Sequence, residues 1–252
     1  MFNTIAKKLI RRLGFDLVRY TQPQLLIPPD FDEEVIHIIN TVKPYTMTSV
    51  ERLFALIQAV KYVVSANIPG SIVECGVWQG GSMMAVAHTL KRLGKSDIDL
   101  YLFDTYEGMT RPTDVDIDYV GTPASIRFER AKKIGDTSEW AYASVEQVQS
   151  NLVSTGYDTD RVKLIKGKVE DTLPDSAPSQ ISLLRLDTDW YESTRHELIH
   201  LYPRLSVGGV LLVDDYGYWQ GSKKAVDEYF TQNSISILLN RIDYTGRIGV
   251  KS

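Results

Sequence analysis

The chain has 252 residues, 43% of them hydrophobic and 24% charged, a balance that suits an ordinary globular protein with a full core. A formal net charge of −4 offers no basic surface for nucleic acid, so a small-molecule partner is expected. The lone cysteine, Cys75, excludes an internal disulfide and any zinc or redox cysteine pattern, and no apolar run approaches a membrane span. A cytoplasmic protein is expected.

Near the start, Ile5, Leu9, Leu13 and Leu17 recur at helical spacing among Lys7, Lys8, Arg11, Arg12 and Arg19. That spacing predicts a basic amphipathic helix over residues 1–22. Its apolar face can pack on the body or on a second copy of the chain in a homo-oligomer, or it can lie on a membrane surface, which would make the protein peripheral to the membrane. Pro23, Pro28 and Pro29 make residues 23–30 a linker, and the main domain is expected over 31–252.

Phe31 to Val42 has helical periodicity, and Thr48-Ser49-Val50-Glu51 has capping-box spacing ahead of Leu53, Leu56, Ile57 and Val60, predicting a helix to about Ala66. Ser71 to Val77 reads as a strand that turns through Gly80 and Gly81 into a helix carrying Met84, Ala87, Leu90 and Leu93. Glycines at such a turn let a ligand approach the backbone, although the spacing is not that of a dinucleotide fingerprint. The second strand, Asp99 to Asp104, ends in an acid, which either holds the two hydroxyls of a ribose or serves as a turn residue.

Residues 105–143 lose periodicity, with Tyr106, Met109, Tyr119, Trp140 and Tyr142 scattered among Gly, Pro and Asp. So long an irregular segment is expected to act as a lid, with some helix around Ser125 to Lys133. A helix over Ser144 to Leu152 and a strand over Val162 to Val169 follow, with Glu170 and Asp171 at its carboxyl end.

The two most informative stretches come next. The apolar run from Ile181 stops at Asp187 and Asp189, and the run from Gly208 stops at Asp214 and Asp215. Helices are predicted over Glu192 to Leu205 and Gly221 to Phe230, and a hairpin from Ser234 to Ile242 and Arg247 to Ser252. The βαβα rhythm predicts an α/β fold, a mostly parallel sheet closed by a C-terminal antiparallel hairpin.

Strands buried on both faces read as continuous apolar runs, and ligands bind outside their carboxyl ends. Carboxylates crowded there repel one another unless a cation offsets them, and Mg²⁺ with hard oxygen ligands is the economical occupant. The plainer alternative is that these acids are helix caps and turn residues. Arg185, inside an apolar strand, is expected to pair with a buried carboxylate. His196 and His200, one helical turn apart, are expected at the surface, and Trp190 and Tyr191 pack either on a sugar face or in the core.

Six segments together carry a resemblance: Tyr45 to Arg52, Glu74 to Ser82, Phe103 to Gly108, Glu170 to Pro174, Leu186 to Thr194, and Gly208 to Asp215. They resemble the metal-dependent, S-adenosylmethionine-using sugar O-methyltransferases of the macrocin O-methyltransferase (TylF) family. The resemblance implies a Rossmann-like class I methyltransferase fold with helices on both faces. It implies that Glu74, Gly76 and Ser82 line the methionine part of the methyl donor, Asp104 holds its ribose beside Thr105, and Asp171 lies near its adenine. The segment holding Tyr45, Met47 and Ser49 would close over that ligand. Asp187, Asp214 and Asp215 match the metal ligands, Asp189 the general base, and the acceptor would be a sugar hydroxyl on a natural product or glycan. Asp187-Thr188-Asp189 also resembles the Asp-x-Asp motif of nucleotide-sugar glycosyltransferases, and a non-enzymatic nucleotide-binding module is a further reading.

Overall fold

Five apolar strands bring three acid-bearing ends to one rim, and the sheet they form decides where everything else lies. The computed structural model describes residues 7, 8, 10–15, 27–135 and 137–252. The chain divides into two compact units, 1–31 and 32–252. In the first, residues 7, 8 and 10–12 are helical, and Leu13 and Phe15 are 71% and 70% exposed. Residues 1–6, 9 and 16–22 of the expected basic helix, and residues 23–26 of the expected linker, lie outside the described residues.

The second unit opens with α1 (Glu33–Val42), capped by the Asp32 carboxylate, and α2 (Val50–Ser65). The cap of α2 is Ser49, whose side chain accepts from Arg52 N, and not Thr48 as the capping-box spacing suggested. Thr48 is instead buried and accepts a hydrogen bond from Arg185. There follow β1 (Ser71–Cys75), α3 (Gly81–Arg92), β2 (Leu100–Asp104), α4 (Ala124–Arg130), β3 (Lys133–Ile134), β4 (Thr137–Ser138), α5 (Val145–Ser154) and β5 (Val162–Lys166). The last part holds α6 (Val169–Thr172), β6 (Ile181–Leu186), α7 (Tyr191–Leu201), β7 (Leu205–Val213), α8 (Gln220–Gln232), β8 (Asn240–Arg241) and β9 (Arg247–Val250).

Seven strands form one sheet in the order β5-β2-β1-β6-β7-β9-β8. The first five are parallel, and β9 pairs antiparallel with both β7 and β8. This is the Rossmann-like, doubly wound arrangement, with its switch point between β1 and β6. β5 is shorter than the apolar run suggested, because Gly167 leaves the strand at φ 144° and α6 begins two residues later.

The period of two along each strand sorts the sheet's faces. Val73 and Cys75, Leu184 and Leu186, and Leu211 and Val213 join Leu198, Leu201, Val226, Tyr229 and Phe230 of α7 and α8 in one buried cluster. The alternate residues, Glu74 and Arg185 among them, fall on the other face, where α2 meets β6 and β7. Register places Glu74 beside Arg185 and Arg185 beside Leu212. The next step along the three strands therefore carries Gly76, Asp187 and Asp214 off the sheet at one level.

The segment 105–143 contains α4 and the small antiparallel β3-β4 pair, plus isolated bridges from Thr110 to Thr137 and from Asp118 to Trp219. No described helix is long and apolar enough to cross a membrane.

Candidate active site

Backbone bonds set the acids in place before any side chain acts. Asp187 N donates to Cys75 O at 2.8 Å and Asp214 N to Leu186 O at 2.9 Å, carrying the ladder one step past each strand. Gly76, at φ 82°, passes so close to Asp187 that a Cβ there would lie 2.1 Å from its carbonyl oxygen, so no other residue fits. Asp189 sits at φ 71°, a left-handed conformation unfavourable for a side-chain-bearing residue. One carboxylate oxygen from each of Asp187, Asp214 and Asp215 lies within 4.8 Å of the others.

Two guanidinium groups are sunk among these acids. Arg185 Nη1 donates to Glu74 Oε1 at 2.6 Å and reaches Asp187 Oδ2 at 2.8 Å, while Nη2 donates to Asp214 Oδ1 at 2.6 Å and Thr48 Oγ1 at 3.0 Å. Arg52 pairs with the other oxygen of Asp214 and, at 2.9 Å, with Asp243 Oδ2, which also accepts from Ser49 Oγ at 2.7 Å. Arginine suits such a site because its planar fork serves several carboxylates at once. Even so, Glu74, Asp187, Asp189, Asp214, Asp215 and Asp243 outnumber the two arginines.

The excess shows in the titration of the group. Burial, reinforced by Asp214 and Asp215 and opposed by Arg185, pushes the Asp187 carboxyl well above the usual range. Burial and the neighbouring Asp189 do the same to Asp215. Burial raises Asp189 to about 7, with a hydrogen bond to Asp215 pulling the other way. Glu74, fully buried, is likewise raised to about 7 by burial against the pull of Arg185. A divalent cation fits this set: the donors are hard oxygens, Asp215 Oδ2 is buried without a partner among the described residues, and carboxylate oxygens paired with arginine keep a second lone pair.

Two cavities adjoin the acids. The first is lined by Gly76, Phe103, Asp104, Thr105, Gly108 and Val169, among others. The second is lined by Arg52, Ser82, Arg127, Trp140, Asp214, Asp215, Tyr218 and Trp219, with further residues from 46–48 and 244–245. Met47, Trp78, Asp187 and Asp189 line both. Asp187 and Asp189 thus stand on a wall that the two cavities share, while Asp214 and Asp215 line the second alone.

The expected site residues distribute unevenly over this geometry. Gly76, Asp104, Thr105 and Met47 line the first cavity, whereas Ser82 lines the second. Asp104 is engaged before any ligand arrives, accepting from Val77 N at 2.6 Å, Trp78 N at 3.1 Å and Tyr106 N at 2.8 Å. Glu74, Tyr45 and Ser49 line neither cavity. Glu74 lies beneath the acids, the carbonyl of Tyr45 packs against Gly81 at the start of α3, and Ser49 caps α2. Asp171 is exposed and also lines neither, because the chain reaches the first cavity at residues 167–170.

Arg185 pairs with carboxylates as its place in an apolar strand suggested. Trp190 is 3% exposed and belongs to the core, its Nε1 donating to Thr110 O at 3.1 Å. The rings of His196 and His200 lie 4.4 Å apart, tilted by 56°, both residues are half-buried, and neither belongs to a metal-binding group among the described residues.

Several site residues carried no usable sequence signal. Arg52 reads as a surface position of an amphipathic helix. Asp116 reads as one of many loop acids, yet it is fully buried and accepts from Tyr191 N at 2.8 Å, Thr113 N at 2.7 Å and Thr113 Oγ1 at 2.8 Å. It thereby ties the 105–143 segment to the start of α7. Trp190 meets Trp140 and Trp219 edge to face at 5.5 and 5.0 Å, Trp140 and Trp219 lie tilted at 6.1 Å, and the Arg127 guanidinium lies 4.1 Å over the Trp140 ring.

Residues 40–248 match the family described as macrocin-O-methyltransferase (TylF). An 8-demethyl-8-(2,3-dimethoxy-alpha-L-rhamnosyl)-tetracenomycin-C 4'-O-methyltransferase from Streptomyces olivaceus is 32% identical over 218 residues, covering 86% of this chain and 80% of the relative. Demethyldecarbamoylnovobiocin O-methyltransferase from Streptomyces niveus is 33% identical over 202 residues, covering 80% and 74%. Among solved structures, the O-methyltransferase NovP superposes with a TM-score of 0.73 at 31% identity, covering 82% of each chain. A putative caffeoyl-CoA O-methyltransferase from Staphylococcus aureus, at 14% identity and a TM-score of 0.53 over 98% of this chain and 100% of that one, shares the fold.

Proposed function

Because this chain belongs to the macrocin-O-methyltransferase family and is an S-adenosylmethionine-dependent O-methyltransferase, we propose that it methylates a sugar hydroxyl on a glycosylated natural product or glycan. The observation that carries the reading is the shared wall: Asp187 and Asp189 face a cavity on either side. One cavity takes the methyl donor and the other the acceptor. The S. olivaceus relative is named for a rhamnosyl group on its substrate, which supports a sugar as the acceptor.

In this reading the donor's adenosine lies in the first cavity, its adenine against residues 167–170 with Asp171 just behind, and its ribose at Asp104 and Thr105. Asp104 accepts backbone bonds through both oxygens, so it orients the turn after β1 as well as the ribose. The methionine part passes Gly76 toward Ser82, above the buried Glu74. Met47, 60% exposed on both cavities, closes over the ligand, with Tyr45 and Ser49 anchoring the ends of its segment.

Asp187, Asp214 and Asp215 would hold Mg²⁺. A bound divalent cation lowers the pKa of a coordinated hydroxyl and fixes its direction. Arg185 and Arg52 orient the carboxylates, and Asp189 takes the proton from the acceptor hydroxyl. That oxygen attacks the sulfonium methyl: the C–O bond forms, the C–S bond breaks, and its electron pair goes to sulfur, leaving S-adenosylhomocysteine. Holding the two partners in line across the shared wall supplies much of the rate gain.

Calorimetry with S-adenosylhomocysteine, with and without Mg²⁺, tests the donor site. Binding that Asp104→Ala weakens is the expected result. No binding, together with Mn²⁺-dependent affinity for a nucleoside diphosphate, would overturn the proposal.

A further inference from the structure

Glu197 is fully buried on α7, yet among the described residues one of its oxygens has no partner. Thr188 Oγ1 donates to Oε1 at 2.8 Å, while Oε2 is buried and unsatisfied. A carboxyl group is costly to bury for a single hydrogen bond, and its helix neighbours Leu198 and Leu201 show that apolar side chains pack well at this level. Its one partner is the residue between the two acids of the shared wall.

That turn needs holding. Asp189 is left-handed at φ 71°, and Trp190 N closes back on Thr188 O at 2.8 Å. Asp116 grips the following residue through Tyr191 N at 2.8 Å. The Thr188 hydroxyl is held from α7 by Glu197, nine residues further along the chain.

We infer that Glu197 is a positioning residue, which through Thr188 holds the Asp187-Thr188-Asp189 turn in the shape that presents Asp187 to the metal group and Asp189 to the shared wall. The inference rests on the metal reading above. Groups that orient a metal's ligands typically change metal affinity or activity by about 10–100-fold when removed.

The test needs no acceptor. Binding of Mn²⁺ to the full chain, followed by water-proton relaxation, is compared for wild type, Glu197→Met, Glu197→Gln, Thr188→Val and the Thr188→Val/Glu197→Met pair. Glu197→Met and Thr188→Val should each weaken Mn²⁺ binding by about 10-fold. The pair should be no worse than either alone, because both remove the same bond. Glu197→Gln, which keeps an acceptor oxygen, should restore most of the affinity. The Glu197 variants should bind S-adenosylhomocysteine as the wild type does, which a general loss of packing would not allow.

Wild-type Mn²⁺ affinity in Glu197→Met, or additive losses in the pair, overturns the inference alone. A wild type that binds S-adenosylhomocysteine but no Mn²⁺ overturns the metal assignment and this inference with it. Should Glu197→Met fail to fold, Thr188→Val breaks the bond from its part-buried end and Glu197→Gln supplies the contrast.

Discussion

The second cavity has two walls of different origin. One is the rim of β1, β6 and β7, where carboxylates follow directly from buried strands and their positions are locked by ladder bonds and by Arg185 and Arg52. The other is made of side chains from 105–143 and from the turn before α8, a mosaic of Trp140, Trp219, Tyr218 and Arg127 with little regular structure beneath it. The strand-end wall is held by ladder bonds that continue past β6 and β7 through Asp187 N and Asp214 N. The aromatic wall is tied down at particular points, Asp116 chief among them. Chemistry that needs fixed geometry belongs on the first, and discrimination between acceptors belongs on the second.

Substitutions can break this contrast in a graded way. The largest effect is expected at Asp189: Asn should lower turnover by about 10²–10⁴-fold, the usual contribution of a general base. Donor and metal binding should remain, as read by S-adenosylhomocysteine calorimetry and Mn²⁺ binding, and unchanged turnover would remove Asp189 from the role. Asp215→Asn should come next, raising the Mg²⁺ concentration for half-maximal activity by at least about 10-fold. Chelation with EDTA should silence both this variant and the wild type.

On the other wall the effects should be smaller and of another kind. Asp116→Ala leaves Tyr191 N and Thr113 N without their buried acceptor, so a loss of about 1–3 kcal/mol in denaturant unfolding is expected. Limited proteolysis should then cut first within 105–143, and cleavage elsewhere would show that Asp116 does not tether that segment. Arg127→Ala should cost no more than about 1 kcal/mol of stability, the scale of one cation–π contact. Its signature should be a changed ranking of glycosides in a methyl-transfer panel, and an unchanged ranking would return discrimination to the strand-end wall.

Much of this was legible in the residues because the relevant signals are local. Continuous apolar runs located the strands, and a run that stops at Asp187 or Asp214 marks a carboxyl end whatever the rest of the chain does. The glycine turn was readable at Gly80, left-handed at φ 85°, whereas Gly76 read as part of the strand and its lack of room for a Cβ appears only once Asp187 packs against it. Local signals misled by a residue or two where two hydroxyls compete, as when Ser49 rather than Thr48 caps α2.

What tertiary structure alone decided is which of these ends face one another and what neutralises them. Arg52 and Asp214 are 162 residues apart in sequence, Arg185 and Thr48 137, and Asp116 and Tyr191 75. Such pairs leave no pattern in a single sequence, because a side chain's partner depends on strand order, register and the path of the intervening chain. Residue type and spacing determined where the acids would emerge. Only the packed sheet determined that Asp187 and Asp189 stand between two cavities, since a shared wall exists only once both of its sides have folded.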